Sequence, residues 1–108
     1  MKRLKQKLQS YFKRHSEEYE ITWQDAYKKD DAILVDVRSQ QEYDEWHKNG
    51  AICIPHYEIK NQVQTKLKQK DKFIILYCQS GARSKKAYET LKKMGYTNVY
   101  HIKGGLQG

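Results

Sequence analysis

Two short apolar runs constrain this chain more than anything else in it: Ile33-Leu34-Val35-Asp36-Val37 and Phe73-Ile74-Ile75-Leu76-Tyr77. Each is too short for a helix and is rich in β-branched or aromatic residues, which is how a strand buried on both faces reads. The rest of the chain is strongly polar. Mean hydropathy is −1.01 and 31% of residues are charged, a composition that would favour disorder if it were spread evenly. Clumping of the apolar residues restores a core, and 108 residues leave room for one domain built around it.

Local signals place the remaining elements between and around these strands. Thr22 is an N-cap with Asp25 three residues on, opening a short helix to about Lys28. Ser39 and Glu42 form a capping box directly after the first run. Ile52-Cys53-Ile54 reads as a short strand stopped by Pro55, and Ile59, Val63 and Leu67 predict an amphipathic helix from about Tyr57 to Lys70. After the second run, a helix opening at about Ser84 carries Ala87, Tyr88, Leu91 and Met94 on one face. Gly95 and Tyr96 supply a Schellman ending, and Val99, Tyr100 and Ile102 form a last strand. Strands alternating with helices predict an α/β fold whose mostly parallel sheet is covered on both faces. Ligands in such sheets gather at the carboxyl ends of the strands, where Cys78 lies.

The net charge is +8, from 21 Lys and Arg against 13 Asp and Glu. That excess speeds encounters with anions of any kind without selecting one. The aromatic residues are not interleaved with basic ones in a nucleic-acid-reading pattern, so no nucleic-acid partner is expected. No apolar stretch is long enough to span a membrane, and the basic start lacks the apolar region of a signal peptide. Two cysteines, Cys53 and Cys78, make no disulfide framework. A cytoplasmic protein with reduced thiols is the expectation. Residues 1–18 form a separate basic segment in which Leu4, Leu8, Tyr11 and Phe12 share one helical stripe. Packing of that stripe on the domain, residues 19–108, is expected ahead of peripheral contact with a membrane surface.

The segment from Cys78 to Ser84 carries the chemistry. A loop folding back between a strand and a helix points several backbone N–H groups toward one centre. The helix adds its orphan N–H groups and the positive end of its dipole, and Arg83 adds a fixed cation. Together they favour thiolate over thiol, lowering the Cys78 pKa from the ~8.5 of a free cysteine. The same donors bind an incoming anion. A small buried hydrophobe at a strand end is the bland alternative for any cysteine. Gly81 and Arg83, leading straight into a helix, favour the nucleophile.

Tyr77-Cys78-Gln79-Ser80-Gly81-Ala82-Arg83-Ser84 resembles the active-site loop of single-domain rhodaneses, sulfurtransferases that carry sulfane sulfur on a cysteine. Leu34-Val35-Asp36-Val37-Arg38 with Glu42-Tyr43 is similar to the family's first signature. His47, Gly50-Ala51-Ile52 and Ile54-Pro55 resemble the second, and Gly95-Tyr96, Asn98-Val99-Tyr100 and Gly104-Gly105 the closing segment. The resemblance covers about residues 20–106. It implies a three-layer fold with a central five-stranded, mostly parallel sheet.

The resemblance also implies Cys78 as the catalytic residue, with Gln79, Ser80, Gly81, Ala82, Arg83 and Ser84 holding the sulfur and its leaving anion. Thiosulfate or a low-molecular-weight persulfide would be the donor. A thiol or protein thiol would be the acceptor, or cyanide in the test tube, with no cofactor and no metal. The related phosphatases have one more residue between cysteine and arginine, which disfavours a phosphatase or arsenate reductase; a non-catalytic binding module of the same fold is the other alternative. Asp36, Arg38, Glu42 and His47 read as structural support, with Arg38 at the centre of a network with Asp36 or Glu42. Trp46 and Lys48 depart from the residues usual beside that histidine, and Cys53 reads as a buried thiol rather than a resolving cysteine.

Overall fold

A computed structural model of the chain describes residues 19–107. The expected N-terminal helix, with Leu4, Leu8, Tyr11 and Phe12, lies outside the described residues. Five parallel strands form one sheet in the order β1-β5-β4-β2-β3. They are β1 (Glu20–Ile21), β2 (Ile33–Asp36), β3 (Ile52–Cys53), β4 (Ile74–Tyr77) and β5 (Val99–Ile102). The two apolar runs pair with each other over four residues, Ile33 with Ile74 through Asp36 with Tyr77, at the sheet's centre. The helices are α1 (Trp23–Tyr27), α2 (Gln40–Glu45), α3 (Ile59–Lys66) and α4 (Ala82–Lys93).

Side-chain alternation along the strands divides the core in two. On one face Val35, Val37, Ile54, Ile74, Leu76 and Cys78 meet Ile59, Val63 and Leu67 from the α3 side and Ala87 and Leu91 from α4. On the other, Ile75, Tyr77 and Ile102 meet Ala26 of α1, Ala51, Tyr43 and Leu106. Burial on both faces is what these apolar runs required. No helix among the described residues is long and apolar enough to cross a membrane.

The caps form as the sequence predicts. Thr22 accepts from the Asp25 amide, and both halves of the Ser39–Glu42 box are made. Gly95, at φ +97, ends α4 with Gly95 N–H on Lys92 O and Tyr96 N–H on Leu91 O, the Schellman pair.

Two helix boundaries differ, and one strand was not located from the sequence. The expected helix to Lys70 stops at Lys66, after a 3₁₀ turn over His56–Glu58. Leu67 turns into the core instead, and its carbonyl accepts the Tyr96 hydroxyl, so the helix end is satisfied without another turn. The helix expected at Ser84 starts at Ala82, for a reason that belongs to the site. Finally, β1 has only two residues, and its signal is its pairing with His101 and Ile102 rather than any periodicity of its own.

Candidate active site

Cys78 follows the last residue of β4 and has no exposed surface. Its Sγ accepts the Gly81 N–H at 3.0 Å and the Ser84 N–H at 3.3 Å. Gly81 is the N-cap of α4, in the left-handed region at φ +104, and it has no side chain to cap the helix. The sulfur therefore takes the place of a capping side chain, accepting the orphan amide at the third helical position. This explains the early helix start: Ser84 is inside the first turn, and the cap comes from six residues upstream. An anionic sulfur there also sits at the positive end of a twelve-residue helix.

The loop is held from beneath by the chain's last described turn. Leu106 N–H donates to Cys78 O at 2.9 Å and Gln107 N–H to Gln79 O at 3.1 Å. Gly105, at φ +60, fits because a Cβ there would lie 2.4 Å from Cys78 O and 2.7 Å from Gln79 O. Trp23 Nε1 donates to Gly105 O at 3.1 Å, which fixes this turn in place.

The expected support residues divide into two groups. Asp36, fully buried, accepts from Arg38 N, Nε and Nη2 and from the Tyr77 hydroxyl, at 2.7 to 3.1 Å. Hydrogen bonding to Asp36 raises the Arg38 pKa, and burial is the main cause that raises Tyr77. Arg38 Nη2 also donates to Trp46 O, and Lys48 N–H donates to the Tyr77 hydroxyl, so this network pins the α2–β3 loop to the sheet. Glu42 is not part of it. Its carboxylate takes the Arg83 guanidinium in a two-point pair at 2.8 and 3.2 Å, across 41 residues of sequence. Arg83 holds the Glu42 pKa down at about 2, and hydrogen bonding to Glu42 raises that of Arg83. Glu42 thus ties α2 to the Cys78 loop. His47 is occupied by α2 itself: Nδ1 is 2.8 Å from Tyr43 O and the ring stacks on Tyr43.

Cys53 is in register with Asp36, which is in register with Tyr77, two strand spacings or about 10 Å away. Cys78 follows Tyr77 and so faces the opposite side of the sheet. Cα atoms more than ~7 Å apart cannot be bridged without moving the backbone. Burial pushes the Cys53 thiol up, making it a poor nucleophile.

Residues 20–108 match the family described as Rhodanese-like domain. The chain belongs to this family. Thiosulfate sulfurtransferase PspE of Escherichia coli is 40% identical over 73 residues, covering 68% of this chain and 69% of that protein. A tRNA uridine(34) hydroxylase of Erwinia tasmaniensis is 38% identical over 80 residues, covering 70% of this chain but only 23% of the hydroxylase. This chain therefore spans less than a quarter of that relative's length. The solved structure of a "rhodanese with anions from E. coli" superposes with a TM-score of 0.64 at 38% identity, covering 70% of this chain and 88% of that one.

Within this rhodanese-like domain, sequence reasoning missed His101, whose Nδ1 lies 3.0 Å from Ser84 Oγ, Glu20 beside it, and the roles of Trp23 and Gly105. An ionisable residue in an apolar strand, with His101 alternating with Tyr100 and Ile102, was a readable signal for one of them. The partners 17 or more residues away were not readable.

Proposed function

We propose that this protein is a sulfurtransferase that carries sulfane sulfur as a persulfide on Cys78. The observation that carries the reading is the convergence of the Gly81 and Ser84 amides on Sγ, at the N-terminus of α4. Two hydrogen bonds to the anionic form, the helix dipole and the nearby Arg83 cation all favour a thiolate over a thiol. Four residues separate Cys78 from Arg83. Because the sulfur itself takes two of the loop's amides, the cradle suits one additional sulfur atom better than a tetrahedral phosphate.

In this reading the Cys78 thiolate attacks the outer sulfur of thiosulfate. The sulfur–sulfur bond of the donor breaks, sulfite leaves with the electron pair, and a Cys78 persulfide forms. An acceptor thiolate, or cyanide in vitro, then attacks the outer sulfur, and Cys78 departs as thiolate. No redox partner is required. The loop amides not taken by Sγ, those of Gln79, Ser80, Ala82 and Arg83, hold the outer sulfur and the departing anion. Arg83 supplies positive charge, oriented by Glu42. Asp36, Arg38 and His47 hold the surrounding loops.

The test is incubation with thiosulfate followed by mass spectrometry of the intact chain. One added sulfur on Cys78, lost on addition of cyanide and absent in Cys78→Ser, is the expected result. Serine keeps an oxygen able to accept the same amides, so this variant removes the nucleophile and retains the cap. No adduct with thiosulfate or with a low-molecular-weight persulfide would overturn the reading in favour of a binding module.

A further inference from the structure

The Ser84 hydroxyl stands between two groups that sulfur transfer as described does not connect. Cys78 Sγ lies 3.6 Å from Ser84 Oγ on one side, and His101 Nδ1 lies 3.0 Å from it on the other. The Gly81 carbonyl is a third neighbour at 3.2 Å. Ser84 has no exposed surface and His101 is 2% exposed, so bulk water does not compete for these contacts. A hydroxyl has one proton to give. Three neighbours therefore contend for it, and the state of His101 decides which receives it.

Glu20 sets that state from the far side of the ring. Its Oε2 lies 3.4 Å from His101 Nε2, an ion-pair distance without hydrogen-bond geometry, and its charge favours a proton on that nitrogen. With Nε2 protonated and the ring neutral, Nδ1 is an acceptor. It draws the Ser84 proton, and Ser84 Oγ is left to accept the Cys78 thiol. When the ring carries both protons, Nδ1–H donates to Ser84 Oγ instead, and the Ser84 proton is free to turn toward an anionic sulfur. Among the described residues, the other titratable groups stacked near the ring are Tyr19, ahead of β1, with ring centroids 5.4 Å apart, and Tyr88 of α4 at 6.4 Å. Arg83 is the cation near the sulfur. Neither tyrosine offers a negative charge at neutral pH, so among these groups Glu20 is the counter-charge for an imidazolium.

We infer that His101 is a positioning residue that acts on Cys78 through Ser84, accepting the proton that leaves the thiol. The inference rests on Cys78 reacting as a thiolate. In the step, the Cys78 S–H bond breaks as its proton passes to Ser84 Oγ. The proton already on Ser84 passes to His101 Nδ1, forming the new N–H bond. A thiolate and an imidazolium replace a thiol and an imidazole, with no change in net charge and no electrons exchanged.

The experiment is a pH titration of thiolate ultraviolet absorbance, with the spectrum of a matched Cys78→Ser protein subtracted to remove Cys53 and the tyrosines. In His101→Leu the midpoint should rise by about one pH unit or more, a roughly tenfold loss of thiolate below the midpoint. Glu20→Gln, at a partly exposed side chain outside the core, should shift it the same way by less. Ser84→Ala should raise it as well, and adding His101→Leu to Ser84→Ala should move it little further. Unchanged midpoints in His101→Leu and Glu20→Gln overturn the inference, as does a full second shift in the double variant, because His101 would then not act through Ser84. Sulfur loading by mass spectrometry is read separately. Loading with an unmoved midpoint overturns the relay alone, and shifted midpoints without loading overturn sulfur transfer alone.

Discussion

Replacing Gly105 with alanine places a methyl carbon where the Cys78 loop already is. The new Cβ would lie 2.4 Å from Cys78 O, 2.7 Å from Gln79 C and 2.7 Å from Gln79 O, all backbone atoms that no side-chain rotation can move aside. Relief requires the loop or the final turn to shift by most of an ångström, stretching the Leu106-to-Cys78 and Gln107-to-Gln79 hydrogen bonds. Two costs combine. Placing a Cβ at φ +60 costs roughly 1–2 kcal/mol, and overpacking costs about 1–3 kcal/mol. The sum, about 2–5 kcal/mol, corresponds to a fall in Tm on the order of 10 °C or more for a domain this small. Misplacing the loop also misplaces Sγ against its amides, so sulfur loading from thiosulfate should fall by up to about 100-fold. Gly50→Ala is the control. Gly50 has φ +85 but nothing within 4 Å of a new Cβ, so it bears the conformational cost without the clash. Thermal unfolding and loading kinetics should separate the two variants clearly. Equal Tm losses with equal loading would refute the claim that the final turn buttresses the loop.

Glu42 titrates near 2 against an ordinary 4.5 because Arg83 binds its ionised form. A depressed carboxylate stabilises the fold above its unfolded pKa, and that contribution is lost as pH falls from about 4.5 toward 2. Stability of the native chain should therefore decline more steeply through this window than that of Glu42→Gln. With both side chains about a third exposed (32% and 35%), the contribution should be ~1 kcal/mol or less. Arg38→Met leaves a buried carboxylate with only the Arg38 amide and the Tyr77 hydroxyl, and should cost about 3–5 kcal/mol in denaturant unfolding. Tyr77→Phe strips one donor from Asp36 and leaves the Lys48 amide without its acceptor, a smaller loss of about 1–3 kcal/mol. Cys53→Ala should load sulfur at the native rate, and mild oxidation of the native chain should yield no Cys53–Cys78 disulfide on non-reducing mass analysis.

What could be read from the sequence was whatever depends on near neighbours or on burial from both sides. The runs at 33–37 and 73–77 announce central strands because nothing polar is tolerated there except Asp36, whose charge is met by Arg38 two residues on. The Ser39–Glu42 box and the Gly95 ending are local chemistry, decided within six residues. The Cys78 loop was legible as a nest because strand, glycine and helix follow one another directly. The partner of Glu42 was not legible: Arg38 is nearer in sequence, and only the fold brings Arg83 across 41 residues to claim the carboxylate. The start of α4 lies two residues before the expected Ser84 because the acceptor that caps it is a sulfur that no capping preference anticipates. Leu67 ended α3 early for a tertiary reason, burial against Tyr96, that the four-residue spacing does not encode.

The acceptor that anchors the front of α4 is also the atom proposed to change its bonding. A persulfide moves the negative charge outward by one sulfur–sulfur bond, roughly 2 Å, leaving Gly81 and Ser84 facing a neutral inner sulfur. Filled and empty forms of the protein would then differ in how firmly one helix end is tethered. Hydrogen exchange at those two amides would report occupancy without any label on the sulfur itself.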